Sequence, residues 1–151
     1  MNYMKKEKRF TLPIAAFLIL KKDDQILLIK RHNTGFMDGY YTFVAGHMDG
    51  AETPAQCIVR EAKEEANIVL TKKNLKVVHI MHVLSNGEEY INFYLEATKW
   101  EGDITNMEPH KCSEIEWYDI NNLPENFIPK DKIAFENSQI GNFYSELGFS
   151  K

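Results

Sequence analysis

Residues 46–68 read GHMDGAETPAQCIVREAKEEANI, and the second half of this stretch predicts a helix. Thr53, Pro54 and Gln56 supply an N-cap, a proline at the first helical position and a capping-box partner, so the helix starts at Thr53. At about 100° per residue, with Glu61 as zero, Ala55, Ile58, Val59, Ala62 and Ala66 fall between about 60° and 160°. That apolar stripe docks the helix on a core, and its alanines permit a close approach. On the same wheel Glu65 lies near about 40° and Glu64 near about 300°, so three carboxylates crowd one face of the last turns. Like charges three and four residues apart repel, and carboxylates at a helix C-terminus oppose its dipole. A bound cation reverses both penalties. Without one, the cluster reads as a solvated acidic face.

The stretch resembles the signature of the Nudix hydrolases, G-x5-E-x7-R-E-U-x-E-E-x-G-U, where U is a bulky aliphatic residue. Gly46, Glu52, Arg60, Glu61, Glu64, Glu65 and Ile68 match at the required spacing. Ala62 stands where a larger aliphatic is usual, and Asn67 replaces the last glycine. Asparagine is the next most tolerant residue in a left-handed helix cap, and neither departure touches a carboxylate. The resemblance implies an α/β/α sandwich around a mixed β-sheet and cleavage of the diphosphate linkage of a nucleoside diphosphate derivative. It implies that Glu61, Glu64 and Glu65, with the backbone carbonyl near Gly46, hold Mg2+, for which Mn2+ can substitute. Such hard cations prefer carboxylate oxygens, waters and substrate phosphates. It gives Glu61 and Glu64 catalytic roles and makes Glu52 and Arg60 a pair that braces the loop against the helix.

At 151 residues and 44% hydrophobic, residues 1–151 are expected to form one domain. The net charge of −4 argues against a stable nucleic-acid complex, which calls for a basic face. The basic cluster MKKEKR, residues 4–9, is followed by the apolar run LPIAAFLIL, whose nine residues are too few to span a bilayer. No signal-peptide cleavage site is evident, and Cys57 and Cys112 offer neither a disulfide framework nor zinc spacing. The expectation is a cytoplasmic protein, monomer or homodimer, with no membrane association and a small-molecule nucleotide as partner.

Elsewhere, Leu12 to Lys21 and Gln25 to Lys30 read as a hairpin, and Tyr41 to Ala45 as a short strand entering the motif loop. Leu75 to Leu84 and Glu89 to Thr98 flank Asn86-Gly87, a strong hairpin signal. Glu114 to Tyr118 is a last short strand. Ile133, Ile140, Phe143, Tyr144 and Leu147 suggest a C-terminal helix from Lys130 to about Leu147, broken or not at Gly141, with Gly148 as its stop.

Candidate substrate contacts are Arg31, which either reaches phosphate or is a solvated strand end, and Phe36, Tyr40 and Tyr41, which either stack on a base or pack in the core. Glu108 lies in the long polar loop WEGDITNMEPHKC; some family members carry an acidic residue in a comparable loop as metal ligand or base. His82 reads as one face of a strand. Val77 to Asn86 lacks the proline typical of the family's ADP-ribose hydrolases and the tyrosine typical of its diadenosine polyphosphate hydrolases, which tilts the expectation towards a nucleoside triphosphate or modified nucleotide. The alternative is a non-hydrolytic member, either an isopentenyl diphosphate isomerase-like enzyme or a nucleotide-binding regulator; the isomerase needs a poised cysteine, and Cys57 falls within the helix.

Overall fold

The computed structural model describes residues 8–150; the first part of the basic cluster lies outside them. Its organising element is β1 (Ile14–Lys22), whose successive side chains enter two different cores. Ala15, Phe17 and Ile19 join one buried cluster and Ala16, Leu18 and Leu20 the other. This alternation explains why the run has no polar face: both sides of the strand are covered.

β1 turns into β2 (Gln25–Arg31) in the expected hairpin, with Lys22 opposite Gln25. The segment at Tyr41 divides into two short strands rather than one. β3 (Tyr41–Thr42) pairs with β2, whereas β4 (Val44–His47) pairs with β1, so the chain changes neighbours at the buried Phe43. After α1 (Pro54–Ala66), β5 (Lys76–Ser85) and β6 (Glu88–Ala97) form the second expected hairpin, with Asn86 and Gly87 both at positive φ. β6 then lies parallel to β1, and β7 (Cys112–Asp119) pairs with β2. The mixed sheet carries α1 on one face and α2 (Pro129–Gln139) on the other, giving the α/β/α arrangement. Among the described residues no helix is long and apolar enough to cross a membrane.

The C-terminal expectation needs correction. α2 ends at Gln139, and Tyr144–Leu147 is a strand, β8, parallel to β5 at the sheet edge. Past Gln139 the backbone leaves the helical ladder: Gly141 N donates to Ser138 O, and Asn142 N takes the Asn137 carbonyl that the next turn of a longer helix would use. Gly141 then turns left-handed at φ 74°, which ends the helix. His79 fixes the new strand from below, its ring nitrogens 2.7 Å from Asn142 O and 2.7 Å from Ser145 Oγ.

Candidate active site

The helix that carries the acidic face is closed at both ends by its own sequence. Thr53 Oγ1 accepts from Gln56 N at 3.1 Å while Gln56 Oε1 accepts from Thr53 N at 2.8 Å. At the other end Asn67 is left-handed, with φ 56° and ψ 29°. Its side chain also bridges outward, donating from Nδ2 to Asp103 O at 3.0 Å and accepting from Lys63 Nζ at 2.6 Å. Thr105 N and Met107 N donate to Ala66 O and Glu65 O, which docks the long loop on the helix end and brings Glu108 to the acidic face.

Arg60 is the hub of this face. Its guanidinium reaches both oxygens of Glu52, at 2.8 and 3.4 Å, and the Glu61 carboxylate at 2.7 Å, with Glu64 at 3.7 Å and Asp49 at 3.2 Å. Glu52 also accepts from Asp49 N at 2.9 Å, and these bonds hold its carboxyl below the usual range. The motif loop is thus tied to the helix through one Arg–carboxylate fork.

Glu61 lies directly over Gly46, where an added Cβ would collide with its carboxyl group. Only glycine lets the acid approach this backbone. Glu65 is more deeply buried and accepts one bond, from Ala45 N at 3.2 Å. Burial, followed by repulsion from Glu61, pushes its carboxyl up to about 8; burial also raises Glu61, against the pull of Arg60. Glu64 stays more exposed. Among the described residues no three acidic, histidine or cysteine side chains stand close enough together to enclose an ion as placed. Glu61 is turned towards Arg60 and Glu65 towards Ala45, so rotations of these side chains are needed for convergence. The donor set itself suits a hard divalent cation: three carboxylates on two adjacent turns, a glycine that admits Glu61, and an unmet demand for positive charge.

A cleft of about 1290 Å3 begins at Glu61, Glu64, Glu65 and Glu108 and continues to the opposite face of the sheet. Arg31 and Phe36 line it. Arg31 is occupied in part by its own loop, donating to Phe36 O at 2.7 Å and Thr34 Oγ1 at 3.0 Å, so it shapes the wall while its charge faces the cleft. Tyr40 does not line it, and Tyr41 is buried against Tyr118 with its hydroxyl donating to Glu114. Residues the sequence reading missed complete the far end. Lys130 lies 5.6 Å over the Phe36 ring and 4.9 Å over Tyr90, and Asp131 is wholly buried, accepting from Thr42 at 2.7 Å and Tyr94 at 2.8 Å. A polar pair, Lys130-Asp131, directly after Pro129 at a helix start was the available signal.

Comparison with known proteins adds an independent line. The NUDIX domain family model matches residues 11–138. An ADP-ribose pyrophosphatase of Methanocaldococcus jannaschii is 32% identical over 148 residues, covering 91% of this chain and 76% of that protein. An 8-oxo-dGTP diphosphatase of Proteus vulgaris is 30% identical over 94 residues, covering 62% of this chain and 82% of that protein. The crystal structure of a MutT NUDIX hydrolase from Burkholderia pseudomallei superposes with a TM-score of 0.77 at 23% identity, covering 84% of this chain and 98% of that one.

Proposed function

Since the chain belongs to the Nudix hydrolase family, we propose that it is a Mg2+-dependent pyrophosphohydrolase that cleaves the diphosphate linkage of a nucleoside diphosphate derivative. The observation that carries this reading is Glu65, a half-buried carboxyl with one amide partner, set beside Glu61 and Glu64 at the end of the motif helix. In the proposal Glu61, Glu64 and Glu65 hold the cation, with the Gly46 carbonyl and Glu108 completing the set, and Mn2+ can replace Mg2+. When bound, the metal offsets phosphate charge and lowers the pKa of a coordinated water for attack on phosphorus.

The chain's own residues do the rest. Arg60 and Glu52 hold the loop so that the Gly46 carbonyl keeps its place against the helix. Arg31 and Lys130 put positive charge beside the cleft, and Phe36 offers it an exposed ring. The absence of the proline marker in Val77 to Asn86 favours a nucleoside triphosphate or modified nucleotide, as for the P. vulgaris relative, whereas the M. jannaschii relative acts on ADP-ribose. Both are nucleoside diphosphate derivatives, and the proposal rests at that level. Residues 1–151 act in it as one domain, a cytoplasmic monomer or homodimer.

The isomerase alternative needs a cysteine poised for proton transfer, and neither thiol is free for it: Cys112, though it reaches the cleft, is buried and raised by burial. Cys57 is wholly buried under the motif loop, and burial pushes its thiol up to about 12. The experiment is a thermal-shift screen of nucleotides with Mg2+, followed by product analysis on the hits. Metal-dependent release of a nucleoside monophosphate and its partner phosphate compound supports the proposal. Chelator-resistant activity, or none across a broad panel, overturns it.

A further inference from the structure

The far end of the cleft holds an unused acceptor. Asn92, on β6, is 1% exposed and lines the cleft, and its Oδ1 is the one buried side-chain polar atom without a hydrogen-bond partner among the described residues. The neighbouring donors are already committed: the Tyr94 and Thr42 hydroxyls both donate to Asp131. With its proton so used, the Tyr94 oxygen can only accept, which fixes Asn92 Nδ2 on the Tyr94 side, at 3.4 Å, and leaves Oδ1 free. Buried polar atoms are almost always paired, so an orphan at the floor of a cleft marks a place for a ligand donor.

Its position identifies the donor. Asn92 is in register with Ala15 on β1, and Ala15 with His47 at the end of β4, so two strand spacings, about 10 Å, separate it from the end of the cleft where the acids lie. That span is comparable with the reach of a nucleotide from base edge to phosphates. The walls between are Ala15, Phe17, Phe36 and Tyr90, apolar or aromatic, with Lys130 against the last two rings. They suit a flat heterocycle better than a second sugar.

We propose that Asn92 reads the nucleobase, its Oδ1 accepting from an exocyclic amine while the diphosphate lies at Glu61, Glu64 and Glu65. The assignment rests on the pyrophosphohydrolase reading for the orientation of the nucleotide. It makes Asn92 a specificity residue, remote from the bond that is cut. A site built around a polar group rejects the analogue that lacks the matching group.

Two nucleotide pairs that differ only in the amine test it: GTP with ITP, and ATP with purine riboside triphosphate. Affinity is measured calorimetrically with Ca2+ to suppress turnover, and kcat/KM separately with Mg2+. In at least one pair the amine-bearing member should bind the wild-type protein about 10-fold more tightly. Asn92→Leu should abolish that preference by weakening the amine-bearing member alone. Equal binding within both pairs, as when a resident water satisfies Oδ1, overturns the proposal, and so does a preference that survives Asn92→Leu. The wild-type comparison decides even if the variant does not fold. Hydrolysis without base preference sinks this inference alone, whereas base preference without hydrolysis sinks the pyrophosphohydrolase reading alone.

Discussion

Two carboxylates, one wholly buried and one half-buried, face the same cleft and are provided for in opposite ways. Asp131, in the first turn of α2, accepts from the hydroxyls of Thr42 and Tyr94 and gains from the helix N-terminus. Glu65, in the last turn of α1, accepts one amide, opposes the helix dipole and stands beside other acids. Burial raises both carboxyls above their usual range. The difference is in what surrounds them. Asp131 is satisfied by the protein and acts as an anchor, whereas the demand at Glu65 is met only from outside. A carboxyl without partners is therefore a better guide to a ligand than burial as such.

The sharpest way to break this contrast is at the acidic end. Glu61→Gln or Glu64→Gln should lower kcat by about 10^2–10^3-fold with the fold intact, because each removes charge from the proposed cation site without changing volume. Unchanged turnover in both variants would return the cluster to a solvated face. At the anchored end the effect should appear in stability: Asp131→Ala leaves two hydroxyls without an acceptor and should cost about 2–4 kcal/mol in denaturant unfolding. If it costs less than about 1 kcal/mol, Asp131 is not the anchor described.

Asn67 tests the turn that aims Glu65. Asn67→Val should cost about 1–2 kcal/mol, since a branched side chain is forced into left-handed geometry. Asn67→Gly should be near neutral, gaining in backbone freedom at the cap and losing the bond to Asp103. Equal melting temperatures for the two variants would show that backbone geometry at this cap does not matter.

The remaining contrast is in pH dependence. In the metal-free protein Glu65 titrates near about 8 against an ordinary 4.5, so between those values the folded state holds a proton that the unfolded chain has released. Stability contributed by that proton is full below about pH 4.5 and is lost as pH rises through about 8. Asp131 has the same sign and His79, held neutral by burial, the opposite one below its ordinary value of 6.5. The difference between wild type and Glu65→Gln isolates Glu65: the variant's melting temperature should fall less from pH 5 to 8, and Mg2+ at pH 8 should raise that of the wild type alone. Parallel curves without metal would place Glu65 in contact with solvent.

How much the sequence disclosed follows the same division. Thr53, Pro54, Gln56 and Asn67 act within a few residues of themselves, so the helix and both its caps were legible, as was the Asn86-Gly87 hairpin. The β8 strand was not, because its pattern of apolar residues fits a helix equally well and its partner β5 lies far away in sequence. Which of Phe36, Tyr40 and Tyr41 line the cleft was left open by the sequence, because three aromatics in and beside one loop carry no local mark of the side they face. Asn92, Asp131 and Lys130 gain their meaning only when β6, β3 and the start of α2 meet, and no local spacing joins them.

The central strand also shapes how the molecule comes into being. β1 completes its parallel ladder only with β6, Ile14 meeting Ile91, and all of the motif loop and helix lie in the loop of chain that this pairing closes. The local hairpins can form early, in microseconds, but parallel closure over such a separation is slow. Until it occurs, the alternating apolar faces of β1 have no cover and are open to strands of other chains. Assembly of the acidic end and of the Asn92 end therefore converges on one late event, and a substitution that weakens β1 against β6 should reduce the yield of folded protein before it changes any property of the protein that has folded.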